Sequence, residues 1–126
     1  MCGIAGIVTN ELNKNYSNLL VKMTNKLSHR GPDADGYWTD RKVYFGHRRL
    51  SILDLSDNGS QPMVSKTSRY IITFNGEIYN HLELRKFLIN KKEWRGNSDT
   101  ETVLEMIENY GVRESLSFFE GMFAIA

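Results

Sequence analysis

Cysteine is almost missing from this chain of 126 residues: one stands at position 2, and there are only two prolines. A single cysteine excludes an internal disulfide and fits a reducing compartment. No apolar run approaches the ~20 residues that a helix needs to span a bilayer. The first residues lack the basic-then-apolar order of a secretory signal. Neither sign of charge dominates, with 16 Lys and Arg against 15 Asp and Glu and a net charge of +1. The charges are interspersed, which argues against a disordered chain and against a nucleic-acid footprint. The histidines, His29, His47 and His81, are scattered and do not stand at metal-ligand spacings. There is no phosphate-cradling glycine loop, no internal repeat and no low-complexity tract. Aromatics are spread without the basic interleaving of a nucleic-acid platform. These absences leave one cytoplasmic domain as the expectation, with neither nucleic acid nor membrane as a partner and no bound metal.

What is present suits a packed core, since 40% of residues are hydrophobic and 11% aromatic. The chain opens Met1-Cys2-Gly3-Ile4-Ala5-Gly6-Ile7. Removal of Met1 would put a thiol and a free α-amine on one residue. Such amines titrate near ~7.7–8 and free thiols near ~8.5, so the amine is suited to take the thiol proton near neutrality. Ile4, Ile7 and Val8 read as a buried strand that would hold this terminus. Taken alone, Cys2 is read equally well as an inert buried hydrophobe.

Leu19, Leu20, Met23 and Leu27 recur at helical spacing, predicting an amphipathic helix over 16–29 capped by Ser17. The run His29-Arg30-Gly31-Pro32-Asp33-Ala34-Asp35-Gly36 then forms a structural turn, because its aspartates lack the further oxygen ligands of a calcium loop. Residues 37–38 and 43–51 predict paired strands. Adjacent Arg48 and Arg49 point to opposite faces there, so one can be solvated while the other grips a carboxylate. Residues 54–68 are expected to be a long loop, followed by a strand over 70–74. Asn75-Gly76 alone would mean a hairpin turn, but a helical pattern over 81–91 follows. The pair can instead supply donors for a developing negative oxygen. Trp94 and Arg95 read as a short strand or turn. Ser98 with Glu101 makes a capping box for a helix whose inner face is Val103, Leu104, Ile107 and Tyr110 and which Gly111 ends. Asp99 alone could be only a first-turn carboxylate favoured by the helix dipole. A short helix over 113–119 leads to a final buried strand from Gly121. Ala126 is expected to be a cut point within that strand, with the piece alone marginally stable.

Together and in this order, several segments resemble the class II glutamine amidotransferase domain, an N-terminal-nucleophile hydrolase. The resemblance is strongest to the glutaminase domain of asparagine synthetases and covers residues 1–126 as the N-terminal part of that domain. The residues that carry it are Met1-Cys2-Gly3-Ile4-Ala5-Gly6, His29-Arg30-Gly31-Pro32-Asp33, His47 through Asp54, Gln61-Pro62-Met63, Phe74 through Asn80, Ser98-Asp99-Thr100-Glu101 and Gly121-Met122-Phe123-Ala124. The resemblance implies an α+β fold, a four-layer αββα sandwich truncated at its C-terminal end. It implies Cys2 as nucleophile with its own α-amine as base, and Asn75 and Gly76 as the oxyanion hole. Arg49 would bind the α-carboxylate of glutamine, and Glu77 and Asp99 its α-ammonium. No cofactor is implied for glutamine hydrolysis. ATP and Mg belong only to a synthetase domain that would use the ammonia, expected for asparagine synthesis. The alternatives are a truncated non-catalytic paralogue, a partner-binding module, or an amidotransferase serving another acceptor.

Overall fold

The computed structural model describes residues 1–88 and 93–126. Its elements are β1 (Gly3–Val8), α1 (Ser17–Asn25), β2 (Ala34–Thr39), β3 (Val43–Arg49), β4 (Met63–Val64), β5 (Ile71–Ile72), β6 (Phe74–Ile78), α2 (His81–Phe87), α3 (Asp99–Tyr110), α4 (Val112–Leu116) and β7 (Gly121–Ile125). The chain is therefore mixed α and β. Its strands form antiparallel sheets in the orders β1-β3-β2, β4-β5 and β6-β7.

The first sheet is built as its alternation dictates. Tyr44 and Gly46 of β3 face α1, whose Leu20 and Thr24 are buried. Gly46 is needed for this approach, because a Cβ there would run into the Thr24 hydroxyl. Tyr16 meets Tyr44 edge-on, with ring centroids 5.8 Å apart. Two expectations change at this end. Among the described residues β1 pairs only with β3, and Val8 is 78% exposed, so the first strand is half solvated, not buried. The helix spans Ser17–Asn25 and has no Ser17 cap. Instead the Asn15 side-chain oxygen accepts the Ser17 N–H at 2.8 Å, because Asn15 precedes the first turn and its short amide reaches forward to that orphan donor.

The main core joins β4, β5 and β6 to α2 and α3, through Met63, Ile72, Phe74, Ile78, Leu84, Leu88, Val103, Leu104, Met106 and Ile107. On α3 the inner face includes Met106, whereas Tyr110 is 45% exposed. Tyr110 falls at the last helical position, where it tilts over Phe118 instead. Gly111 ends the helix at φ 79°, a conformation that suits glycine.

The strand expected over 70–74 is two strands. Ile71 and Ile72 pair with Val64 and Met63, while β6 pairs with β7 in the register Asn75↔Ala124 and Gly76↔Phe123. Asn75-Gly76 therefore lies inside a strand and makes no hairpin. The loop over 54–68 also contains order: a 3-10 turn at Asp57–Gly59 and strand β4. Trp94 and Arg95 lie in coil. The last helix is α4, shorter than 113–119. Among the described residues β7 pairs only with β6, and it exposes Met122 at 69%, so it is not a buried strand. The helix expected over 81–91 is observed as His81–Phe87, and its reading over 89–91 lies outside the described residues. Among the described residues no helix is long and apolar enough to cross a membrane.

On the face of β3 opposite α1 lies His47, fully buried, with Nε2 3.2 Å from the Phe74 carbonyl of β6. The carbonyl can only accept, so Nε2 carries the proton and Nδ1 stays bare, without a partner among the described residues. Burial pushes the imidazole down from 6.5 to about 4; the Phe74 carbonyl opposes this and the nearby Arg49 charge adds to it. A base whose folded pKa is depressed stabilises the fold fully above its unfolded pKa. That stability drains as the pH falls from about 6.5 toward 4, because only the unfolded chain takes the proton. The full shift corresponds to about 3 kcal/mol, of which about 2 kcal/mol is gone by pH 5. Urea unfolding near pH 7.5 and near pH 5 should show this loss, and His47→Gln should lose roughly 2 kcal/mol less between the two. Equal losses in both proteins would rule His47 out as the source.

Candidate active site

One cleft opens where the end of β3, the loop after it, β6 and the first turn of α3 converge. Its wall includes Cys2, Arg49, Gly76, Glu77 and Asp99, with Met1, Leu50 and Gln61 beside them. Five of the six site residues expected from sequence thus share one cavity. The exception is Asn75, which is not part of that wall. Its side-chain oxygen is buried without a hydrogen-bond partner among the described residues.

Cys2 sits just ahead of β1, half-buried. Its Sγ receives the Leu50 N–H at 3.4 Å and lies 3.6 Å from the Leu50 carbonyl. The pairing Gly3↔Arg48 places it there, because β1 lies antiparallel to the strand that runs into Leu50. The Arg30 Nε donates to the Cys2 carbonyl at 3.1 Å, tying the terminal residue down from the turn after α1. These contacts fix a thiol at the floor of a solvent-open cleft, where a nucleophile has to stand.

Arg48 and Arg49 do point apart. Arg48 donates to the Gly31 carbonyl at 3.0 Å on the α1 side. Arg49 is 8% exposed and faces the cleft, donating to the Ser56 carbonyl at 2.8 Å and to the Asp54 carbonyl. The 3-10 turn supplies the closeness, since Gly59 leaves room for the guanidinium where a Cβ would collide. Asp54 stiffens this loop by accepting from the Ser56 N–H, the Ser56 hydroxyl at 2.6 Å and the Asn97 N–H. Those bonds, Ser56 first, hold its carboxyl below the usual range. A guanidinium has five donors, so two carbonyls orient Arg49 and leave N–H groups for an anion in the cleft.

The acids stand on other elements. Glu77 is exposed on β6. Asp99 opens α3, is 5% exposed and accepts the Ile78 N–H at 3.0 Å. Burial raises the Asp99 carboxyl above its ordinary value, and the Ile78 bond only partly offsets this. A buried carboxylate so placed gains from a cationic partner. Gly76 brings bare backbone to the wall, and a Cβ on it would run into the Met122–Phe123 backbone of β7. The cleft thus gathers a thiol, a guanidinium and the acids Asp54, Glu77 and Asp99 around one space.

The first turn of α3 departs from the capping box. Ser98 does cap, accepting the Thr100 N–H at 3.1 Å. The Glu101 carboxylate, however, takes the Arg95 and Gly96 N–H groups at 3.0–3.2 Å, because the preceding loop folds over the helix start. Arg85 clamps the same loop, donating to the Gly96 and Ser98 carbonyls and lying 3.9 Å over the Trp94 ring. Leu50, Gln61 and Arg30 are the contributors that sequence reasoning left without a role. Leu50 acts through its backbone, and the signal for all three was only their place inside the His47-to-Asp54, Gln61-Pro62-Met63 and His29-Arg30-Gly31 segments.

The profile of the family described as "Glutamine amidotransferase domain" matches residues 1–126. Among curated proteins, the chain is 42% identical over 128 residues to "Asparagine synthetase [glutamine-hydrolyzing] 1" of Bacillus subtilis (strain 168), covering 98% of this chain and 20% of that protein. It is 36% identical over 125 residues to the protein of the same name in Arabidopsis thaliana, covering 98% and 21%. It is 39% identical over 129 residues to "Asparagine synthetase [glutamine-hydrolyzing] 2" of Bacillus subtilis, covering 100% and 17%. The chain spans about a fifth of the length of these relatives.

Proposed function

The chain belongs to the glutamine amidotransferase domain family, and from that premise we propose that it hydrolyses the side-chain amide of glutamine to supply ammonia. The observation that carries this reading is the meeting of the Cys2 thiol with Arg49, Glu77 and Asp99 in one cleft. Arg49 holds the α-carboxylate, and Glu77 and Asp99 receive the α-ammonium, which leaves the side-chain amide directed at Sγ. Once Met1 is gone, the α-amine of Cys2 takes the thiol proton and the thiolate adds to the amide carbon. The oxygen of the tetrahedral adduct is stabilised by the N–H of Gly76, which lines the cleft, and the Asn75 amide joins it only if that side chain turns into the cleft. The C–N bond then breaks, the leaving nitrogen takes the proton held by the amine, and ammonia departs from a γ-glutamyl thioester. Water adds to the thioester, the C–S bond breaks, and glutamate leaves as the thiol is restored.

Met1 lines the same cleft and is 64% exposed, so its loss both frees the amine and opens space beside Sγ. Within this reading residues 1–126 belong to a class II domain whose complete form is a four-layer αββα sandwich. Its cytoplasmic setting is inferred from the single cysteine. The ammonia goes to an ATP-dependent synthetase domain or subunit that makes asparagine, the activity named in the relatives. ATP and Mg would act in that unit.

The test is the stoichiometry of products. The natural chain, with Met1 shown by intact mass to be removed, should release ammonia and glutamate in equal amounts from glutamine. Absence of both from the processed protein would sink the reading and leave a binding module.

A further inference from the structure

Gln61 joins two halves of the cleft that are far apart in the chain. It is 7% exposed and lines the wall. Its Oε1 accepts the buried Phe74 N–H at 2.6 Å, and its Nε2 donates to the Thr100 hydroxyl at 3.2 Å. Phe74 directly precedes Asn75-Gly76 on β6, and Thr100 directly follows Asp99 on α3. The amide orientation follows from the partners, since the Phe74 N–H needs an acceptor. The base of the side chain is also fixed: the Gln61 carbonyl fills the place that a Cβ on Gly36 of β2 would occupy.

We propose that Gln61 is a positioning residue that sets substrate length, a strut between the strand facing the amide end of the substrate and the helix turn facing its ammonium end. The proposal rests on the reading of the cleft given above. Glutamine suits the task because its side chain carries an acceptor and donors at one tip, whereas an ionised glutamate only accepts and a methionine offers neither strong group. With the strut in place, β6 and the first turn of α3 are held at the separation that the two-methylene amide side chain of glutamine spans. Asparagine, one methylene shorter, cannot reach both ends. Loosening the strut relaxes that spacing and weakens the distinction between the two amides. One methylene is ordinarily distinguished by roughly 10–200-fold.

The experiment measures kcat/KM for glutamine and for asparagine in the natural, Met1-processed chain and in three variants. Gln61→Met should narrow the glutamine-over-asparagine ratio by at least about tenfold. Gln61→Glu keeps an acceptor for Phe74 and should fall between Gln61→Met and the unsubstituted protein. Thr100→Val removes the hydroxyl at the far end of the strut, on a residue that also lines the cleft, and should narrow the ratio with Gln61 itself unsubstituted, so it carries the test should Gln61→Met not fold. A purely structural role would lower both kcat/KM values together and leave their ratio alone. An unchanged ratio in folded Thr100→Val, beside an active unsubstituted protein, overturns the proposal while the reading of the cleft stands. No glutamine hydrolysis in the unsubstituted protein overturns both.

Discussion

Replacing Cys2 by Ala should reduce glutamine hydrolysis by about 10⁴-fold or more, to a rate set by water alone in the cleft. The expectation follows from position. The thiol is the group that the β1–β3 register carries to the cleft floor, where it rests against the Leu50 backbone. The fold should hardly register the change, because Cys2 is half-buried and its Sγ makes only long contacts of 3.4 and 3.6 Å. Arg49, Glu77 and Asp99 are untouched, so the variant should still bind glutamine, and calorimetry on it gives substrate affinity free of turnover. A block on Met1 removal should act like a milder form of the same substitution, since the thiol stays and its base does not. Residual hydrolysis of a few per cent in Cys2→Ala would assign the chemistry to another group.

Arg49→Ala should lower kcat/KM for glutamine by roughly 10²–10³-fold, about 3–4 kcal/mol, chiefly through KM. A charged partner of the substrate carboxylate disappears from a buried site. The Ser56 and Asp54 carbonyls lose their donor as well, so a modest fall in thermal midpoint should accompany the kinetic effect. Two comparisons separate these consequences. Arg49→Lys restores charge but not the fork that spans two carbonyls and an anion, and should recover little of the lost activity. A substrate without the carboxylate, 4-aminobutanamide, should be hydrolysed about equally by the unsubstituted protein and by Arg49→Ala. If the variant discriminated against both substrates alike, Arg49 would be a loop brace and no carboxylate ligand.

The residues that do chemistry were more legible than the framework that assembles them. Cys2, Arg49, Gly76, Glu77 and Asp99 could be named from residue type and motif, and all line the cleft. Asn75 was named with them, yet its side chain is not in the wall. Strand alternation placed Arg48 and Arg49 on opposite faces, because facing in a strand is a local property of the backbone; which one faces the cleft came from the resemblance, and Arg48 is not solvated but donates to the Gly31 carbonyl. The pairing of β2 with β3 and the Ser98 cap were legible for the same reason, although β2 already begins at Ala34, inside the run read as a turn, because Ala34 to Gly36 pair with Arg49 to His47. The division of the strand over 70–74 was not. Whether Thr73 separates two strands depends on β4 pairing with β5 before it and on β7 pairing with β6 after it, and β7 is about fifty residues away. Glu101 was assigned to its own helix start by spacing, but the loop at Arg95 and Gly96 competes for it and takes it. Val8 and Met122 looked buried because apolar runs do not report whether a strand has one neighbour or two.

By itself the sequence determined the chemical inventory: one thiol at position 2, an arginine on the inward phase of a strand, acids near a helix start, and a glycine where backbone must be bare. Tertiary structure alone decided that these meet. The Leu50 backbone reaches Sγ across 48 residues, and Gln61 bridges 13 residues to Phe74 and 39 to Thr100. Hydrogen bonds over such separations form only after strand pairing and core burial have offset the entropy of closing the intervening loops. No local pattern of residues records which of those closures the chain will make.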